Sequence, residues 1–435
     1  MKKLSLILSL LLTLKLQQSV YAQQASYWQQ HVDYEINVVL DDVNHMLNGS
    51  IAMRYTNNSP DVLNEIWIHL WPNAYKDNST AFAKQKLESG DVKFHFADES
   101  ERGFIDNLNF KVNGEEVTLT YDEETPDIAK ITLNKPLSPG QTINIKTPFR
   151  VKVPNCFSRM GHDEQQYLIT QWYPKPAVYD RKGWHAIPYL DQGEFYSEFG
   201  NFHVFITVPK NYVVGASGDL LTASEVTFLD SIAAVTATKT FETKDLSFPP
   251  SSPTTKTLEY MLKDAHDFAW FADKRFNVMK SSVTLPEPER VVTTYAYFND
   301  EHGQEWLKAA EYVDRAVAFY SDNVGEYPWN VAQAVDGSLE VEGAGGMEYP
   351  TITVITGKFD AKMLDNVITH EVGHNWFYGI LGSNEREHGW MDEGMNTFYE
   401  NRYMATYYEP ANQLGIPNFA LAALNVDTSD INGLS

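Results

Sequence analysis

In the stretch Thr369-His-Glu-Val-Gly-His-Asn-Trp376, His370, Glu371 and His374 fall within five positions of one another. On a helix the two histidines lie about 40° apart, so both imidazoles can reach one ion. Glu371 projects from a neighbouring direction, close to that ion without pointing at it. Two neutral imidazoles and a carboxylate, with one position left to water, suit zinc. The third donor must come from elsewhere. Glycine at 377 and histidine at 380 would continue one known pattern, but those residues are Phe377 and Ile380. His388, in the charged run Asn384–His388, reads as a surface residue. Glu393 remains, in Gly389-Trp-Met-Asp-Glu-Gly394, with 18 residues between it and His374. Asp392 and Glu400 are its rivals on composition alone.

The histidines need a helix, and the pattern supplies one from Asp360, its expected N-cap, to Tyr378. Lys362, Asn366, Thr369 and Gly373 recur in steps of 4, 3 and 4, an expected wet stripe. Met363, Val367, His370 and His374 fall on another side, expected to face the interior, where imidazoles require partners. Upstream, Trp306, Ala310, Val313, Val317 and Tyr320 mark one face of a helix over 302–322. Thr351–Ile355 reads as a strand and 394–408 as a further helix. The chain before this has a different texture. From Tyr34 to about Val283 it runs in short alternations such as Tyr34–Leu40, Gly49–Tyr55 and Ile131–Leu133. Turn signals at Asn113-Gly114, Pro139-Gly140 and Ser217-Gly218 separate them. Phe248–Pro253 is a loop within this region. The expected architecture is multidomain α+β: a leader over 1–22, an antiparallel β domain over 23–278 and a metal-bearing domain over 279–435.

The leader is read from Lys2 and Lys3, the apolar run Leu4–Leu14 and the small residues Val20 and Ala22. It is too short, and too soon interrupted by Lys15, for a membrane span. Export is expected, to periplasm or medium, with no membrane anchor. Cys156 is the only cysteine, so no internal disulfide forms. A net charge of −24 excludes phosphate-backbone binding as the main function, so no nucleic acid partner is expected.

His370-Glu-Val-Gly-His374, followed at this spacing by Glu393 in Trp-Met-Asp-Glu-Gly, resembles the zinc aminopeptidases of the aminopeptidase N type, the gluzincin group that includes leukotriene hydrolase. Gly345-Gly346-Met347-Glu348-Tyr349 resembles that family's G-x-M-E-N loop, and Gln171 in Ile169-Thr-Gln-Trp172 its substrate-binding glutamine. The resemblance implies a saddle-like β domain followed by a thermolysin-like zinc-peptidase domain. It implies one zinc ion on His370, His374 and Glu393, with Glu371 as general base. Glu348 would select the ammonium of substrates with free N-termini, beside Gly345, Gly346 and Met347. Tyr349 departs from the family's asparagine. The family's oxyanion-stabilising tyrosine would fall beyond Ser435, since Tyr407 and Tyr408 lie too near Glu393, so the second domain is expected to be C-terminally incomplete. An inactive zinc-binding peptide module, or an endopeptidase or other hydrolase on the same scaffold, remain alternatives.

Overall fold

The computed structural model describes residues 27–286, 289–337 and 345–408. The leader over 1–22 and the closing stretch 425–435 lie outside them.

The first strand, β1 (His31–Asp41), buries Val32, Tyr34, Ile36, Val38 and Leu40 and turns the alternate residues outward. That is the period-two pattern of a half-buried strand. With β2 (Met46–Thr56), β3 (Thr142–Lys152), β4 (Gly200–Pro209) and β5 (Thr255–Ala265) it forms the middle of a nine-stranded sheet, in the order β5–β4–β1–β2–β3. One pair departs from the expected antiparallel domain: β1 and β4 run parallel, with Tyr34 opposite Phe202. A Cβ on Gly200 would sit 1.7 Å from the Val32 carbonyl oxygen, so this close pairing requires glycine. The region also holds helices at Ala81–Glu88 and Ala223–Thr236 that the strand-like texture concealed.

The sheets of this half end with Trp270–Asp273, which pairs with Gln166–Ile169 and Val213–Ala216. The next strand, β6 (Asn277–Pro286), opens a separate five-stranded sheet with β7 (Glu289–Phe298), β8 (Val331–Asp336), β9 (Gly345–Tyr349) and β10 (Ile352–Thr356). The order is β6–β7–β8–β10–β9; β7, β8 and β10 are parallel and the outer pairs antiparallel. The segment expected as a loop at 345–349 is therefore an edge strand.

The longer helices of this half are α1 (Ala309–Asn323), α2 (Ala361–His374) and α3 (Met395–Tyr407). The expected face from Trp306 to Tyr320 is buried, but the helix is broken after Trp306 and resumes at Ala309. α2 packs against α1, α3, β9 and β10. Because it is covered on several sides, the expected wet stripe holds at Lys362 and in part at Asn366 but fails at Thr369 and Gly373, which are buried, whereas Met363, expected inside, is 50% exposed. A Cβ on Gly373 would come within 2.1 Å of Asn396 Oδ1 and 2.3 Å of the Tyr320 hydroxyl, so the helices meet this closely only at a glycine. Among the described residues no helix is long and apolar enough to cross a membrane.

Candidate metal centre and active site

Asp360 caps α2 by accepting a bond from the Met363 amide at 2.8 Å. At the other end α2 passes directly into a wider π turn, Asn375–Ile380, and a second π turn, Trp390–Gly394, precedes α3. Such turns insert an extra residue per turn and re-aim side chains. Here two consecutive residues address the two nitrogens of one ring. Asp392 Oδ1 lies 2.6 Å from His374 Nδ1, and Glu393 Oε2 lies 3.7 Å from His374 Nε2.

Glu393 Oε2 is also 3.3 Å from His370 Nε2, and the two Nε2 atoms are 3.2 Å apart. Tetrahedral ligands at zinc bond lengths of 2.0–2.1 Å are separated by about 3.3 Å. The triangle of two imidazole nitrogens and one carboxylate oxygen thus fits a zinc ion. Asp392 and Glu400, the rivals for third donor, stand behind the rings instead. Glu400 Oε2 meets His370 Nδ1 at 2.8 Å, and its other oxygen accepts from Asn366 at 2.6 Å. A carboxylate on Nδ1 fixes the tautomer and frees Nε2 for an ion. Asn396 ties α3 to α2 by donating to the His370 carbonyl at 2.6 Å while accepting from Tyr320 at 2.9 Å. His388, half-exposed, approaches Glu387 at 4.0 Å and, among the described residues, is not one of the groups gathered at the triangle.

The carboxylates outnumber the imidazoles. Burial opposes charge on His370, but Glu393 and Glu400 outweigh it and lift its pKa to about 11. Burial likewise opposes charge on His374, yet Glu348 and Asp392 raise it to about 9. Burial pushes Glu371 up to about 7 against the pull of both histidines, and burial also holds Glu348 well above the usual carboxylate range.

A cleft of about 290 Å³ opens beside the triangle, lined on one side by Ser158, Arg159, Asp191 and Glu194 and on the other by Gly345–Glu348, Glu371, His374 and Glu393. Glu371 is 5% exposed, and its Oε2 has no hydrogen-bond partner among the described residues. Its other oxygen packs on Gly346, where a Cβ would intrude to 2.3 Å. Glu348 is buried on β9; one of its oxygens and donor atoms of Glu371 and His374 all lie within 4.8 Å of one another. Tyr349, next on the strand, packs with Met347 in the apolar cluster that includes Phe271 and Ile352, so its ring serves the core. Gln171 is not brought to the cleft wall: at φ 47° it is buried and donates to Asp267 Oδ2 at 3.1 Å. Arg159 and Glu194, paired at 2.6 Å, were missed from the sequence, which carries no spacing signal linking them to Glu348.

The likeness to solved structures is extensive. A two-domain M1 zinc metallopeptidase bound to L-arginine superposes with a TM-score of 0.57 at 15% identity, over 91% of this chain and 75% of that one. The M1 zinc metallopeptidase from Deinococcus radiodurans gives 0.55 at 15% identity, over 91% and 72%. The fold is that of the M1 zinc metallopeptidases. No family model matches the chain. Leucine aminopeptidase 2 of Aspergillus niger is 36% identical over 69 residues, which is 15% of this chain and 11% of that protein; its counterpart in Emericella nidulans is 36% identical over 66 residues, with the same coverage. The match thus spans about a tenth of these curated relatives. The M1 fold accounts for the strand-rich first half, the mixed sheet and the helix that carries His370 and His374.

Proposed function

We propose that the chain is an exported zinc aminopeptidase that removes N-terminal residues from peptides, with His370, His374 and Glu393 as metal ligands. The observation that carries this reading is the position of Glu348, a buried carboxylate one short step from Glu371 and His374. In a peptide the terminal nitrogen and the first carbonyl carbon are about 2.5 Å apart. A carboxylate this close to the reacting groups therefore measures off one residue. In support, an M1 zinc metallopeptidase from Deinococcus radiodurans of the same fold was solved with a Tyr-Ser-Ala substrate. Export rests on the leader at 1–22, and N-terminal sequencing of the exported protein checks it.

A bound zinc would supply Lewis acidity toward the carbonyl and acidify a water for attack near neutral pH. The chain's own residues do the rest. Glu371 takes the attacking water's proton on its carboxylate and passes it to the leaving amine. Asp392 and Glu400 hold the imidazoles in the tautomer that presents Nε2. Glu348 anchors the ammonium and sets the register.

Aminoacyl-anilide hydrolysis with and without a chelator tests the reading. Turnover that the chelator leaves untouched would overturn the zinc role, and zinc-loaded protein that binds peptides without cleaving them would favour the inactive module. Glu348→Ala should hit free-amine substrates hardest; equal loss on N-acetylated peptides points to an endopeptidase. Asp392→Asn keeps the shape but loses the charge on Nδ1, and should weaken zinc about 10- to 100-fold in a competition titration.

A further inference from the structure

The turn that joins β9 to β10 runs against its own residues. Tyr349 pairs with Ile352, so Pro350 and Thr351 are the two central residues of a hairpin loop. Proline fixes the first φ at about −65°. Thr351 follows at φ 67°. That order is the one of a type II turn, which asks for glycine or asparagine second and splays strands that the mirror-image turns would keep together. A β-branched residue in the left-handed region is strained. Thr351 is also buried, at 1% exposed, so its surroundings must hold it there.

Two neighbours do so. The Thr351 amide donates to Asn375 Oδ1 at 3.0 Å, and Thr351 Oγ1 accepts from the Gly218 amide at 2.7 Å. Neither neighbour can follow the turn if it moves. Asn375, the residue directly after His374, also donates to the Val372 carbonyl at 2.9 Å. Gly218 is itself left-handed at φ 83°, and a Cβ there would come within 2.5 Å of the Met261 carbonyl oxygen. The preceding Ser217 exchanges two bonds with Ala269, at 2.9 and 3.1 Å. The tip of the hairpin is thus pinned both to the end of the metal-bearing helix and to the strand-rich first half. Three residues back along the chain is Glu348, and two further back Gly346 packs on Glu371. We propose that Thr351 is a positioning residue: it fixes β9 against the metal triangle and so sets how well a ligand that touches both can bind. The nature of that ligand rests on the aminopeptidase reading; the clamp itself rests on the strained turn and its two bonds.

The test uses the zinc-loaded full chain and two calorimetric probes that need no turnover. Acetohydroxamate meets the metal alone, whereas L-leucine hydroxamate carries an ammonium and a side chain beyond the same chelating group, toward β9. Thr351→Val keeps the shape and the branch but leaves the buried Gly218 amide without its acceptor. It should bind L-leucine hydroxamate about 10-fold more weakly, with zinc content and acetohydroxamate binding unchanged. A merely structural role would lower Tm and leave the folded protein's affinity for both probes alone. Thr351→Ser, which returns the hydroxyl, should restore the affinity. If Thr351→Val does not fold, Thr351→Gly takes its place: it suits the left-handed backbone, lacks Oγ1 and should show the same selective weakening. Unchanged L-leucine hydroxamate binding in the variant without Oγ1, equal weakening of both probes, or no recovery in Thr351→Ser overturns the clamp. A wild-type chain that cleaves no aminoacyl substrate, while its variants weaken L-leucine hydroxamate selectively, would instead overturn the aminopeptidase reading and leave the clamp standing.

Discussion

Glu371→Gln lowers turnover of aminoacyl substrates by about 10²- to 10⁴-fold and leaves bound zinc unchanged. The side chains are nearly isosteric, and Glu371 stands outside the triangle of His370, His374 and Glu393, so the donors stay in place. What is lost is the basicity of a carboxylate whose buried Oε2 has no hydrogen-bond partner among the described residues. Gly346 presses on the other oxygen and keeps the group in position. Metal analysis alongside kcat checks the assignment. If zinc leaves together with activity, Glu371 is a ligand and the base lies elsewhere.

His374→Ala has the larger structural effect. It removes one corner of the triangle and strips Asp392, fully buried, of its partner. Zinc uptake at micromolar metal should vanish, and loss of the buried pair should cost about 3–5 kcal/mol in the metal-free protein. The pH dependence has a definite sign. The raised pKa of His374, about 9, means that its ion pair contributes fully below the ordinary histidine value of 6.5 and is lost as pH rises through about 9. Zinc competes with the same proton, so its affinity climbs over the interval in which the pair fades. In His374→Ala both trends flatten, as denaturant titrations and metal competition across pH 6 to 10 would record.

The spacing from His370 to Glu393 was legible because one helix and one returning turn fix it locally. The cap at Asp360 and the alternation of β1 were legible for the same reason. Asp392, Glu393 and Glu400 share one chemistry, and only the π turn at 390–394 decides which faces the ring nitrogens at Nε2. Thr369 and Gly373 looked wet because helical periodicity knows one buried face, and α2 has more. The bond from Gln171 to Asp267, 96 positions along the chain, left no trace in the local sequence. The helix Ala223–Thr236, which packs against β6, lay hidden within a region whose texture is mostly strand-like. Glu385 sat in a charged run that reads as solvated, and nothing local announces that it is buried.

The strand β9 has a further consequence. Among the described residues it pairs on one side only, with β10, and it borders the cleft. A bare margin of this kind offers main-chain amides and carbonyls, groups that every peptide can answer whatever its side chains. A substrate laid along it would be gripped without regard to its later residues, leaving discrimination to the first. On the aminopeptidase reading proposed above, that arrangement would suit stepwise trimming of mixed peptides more than the maturation of one chosen precursor.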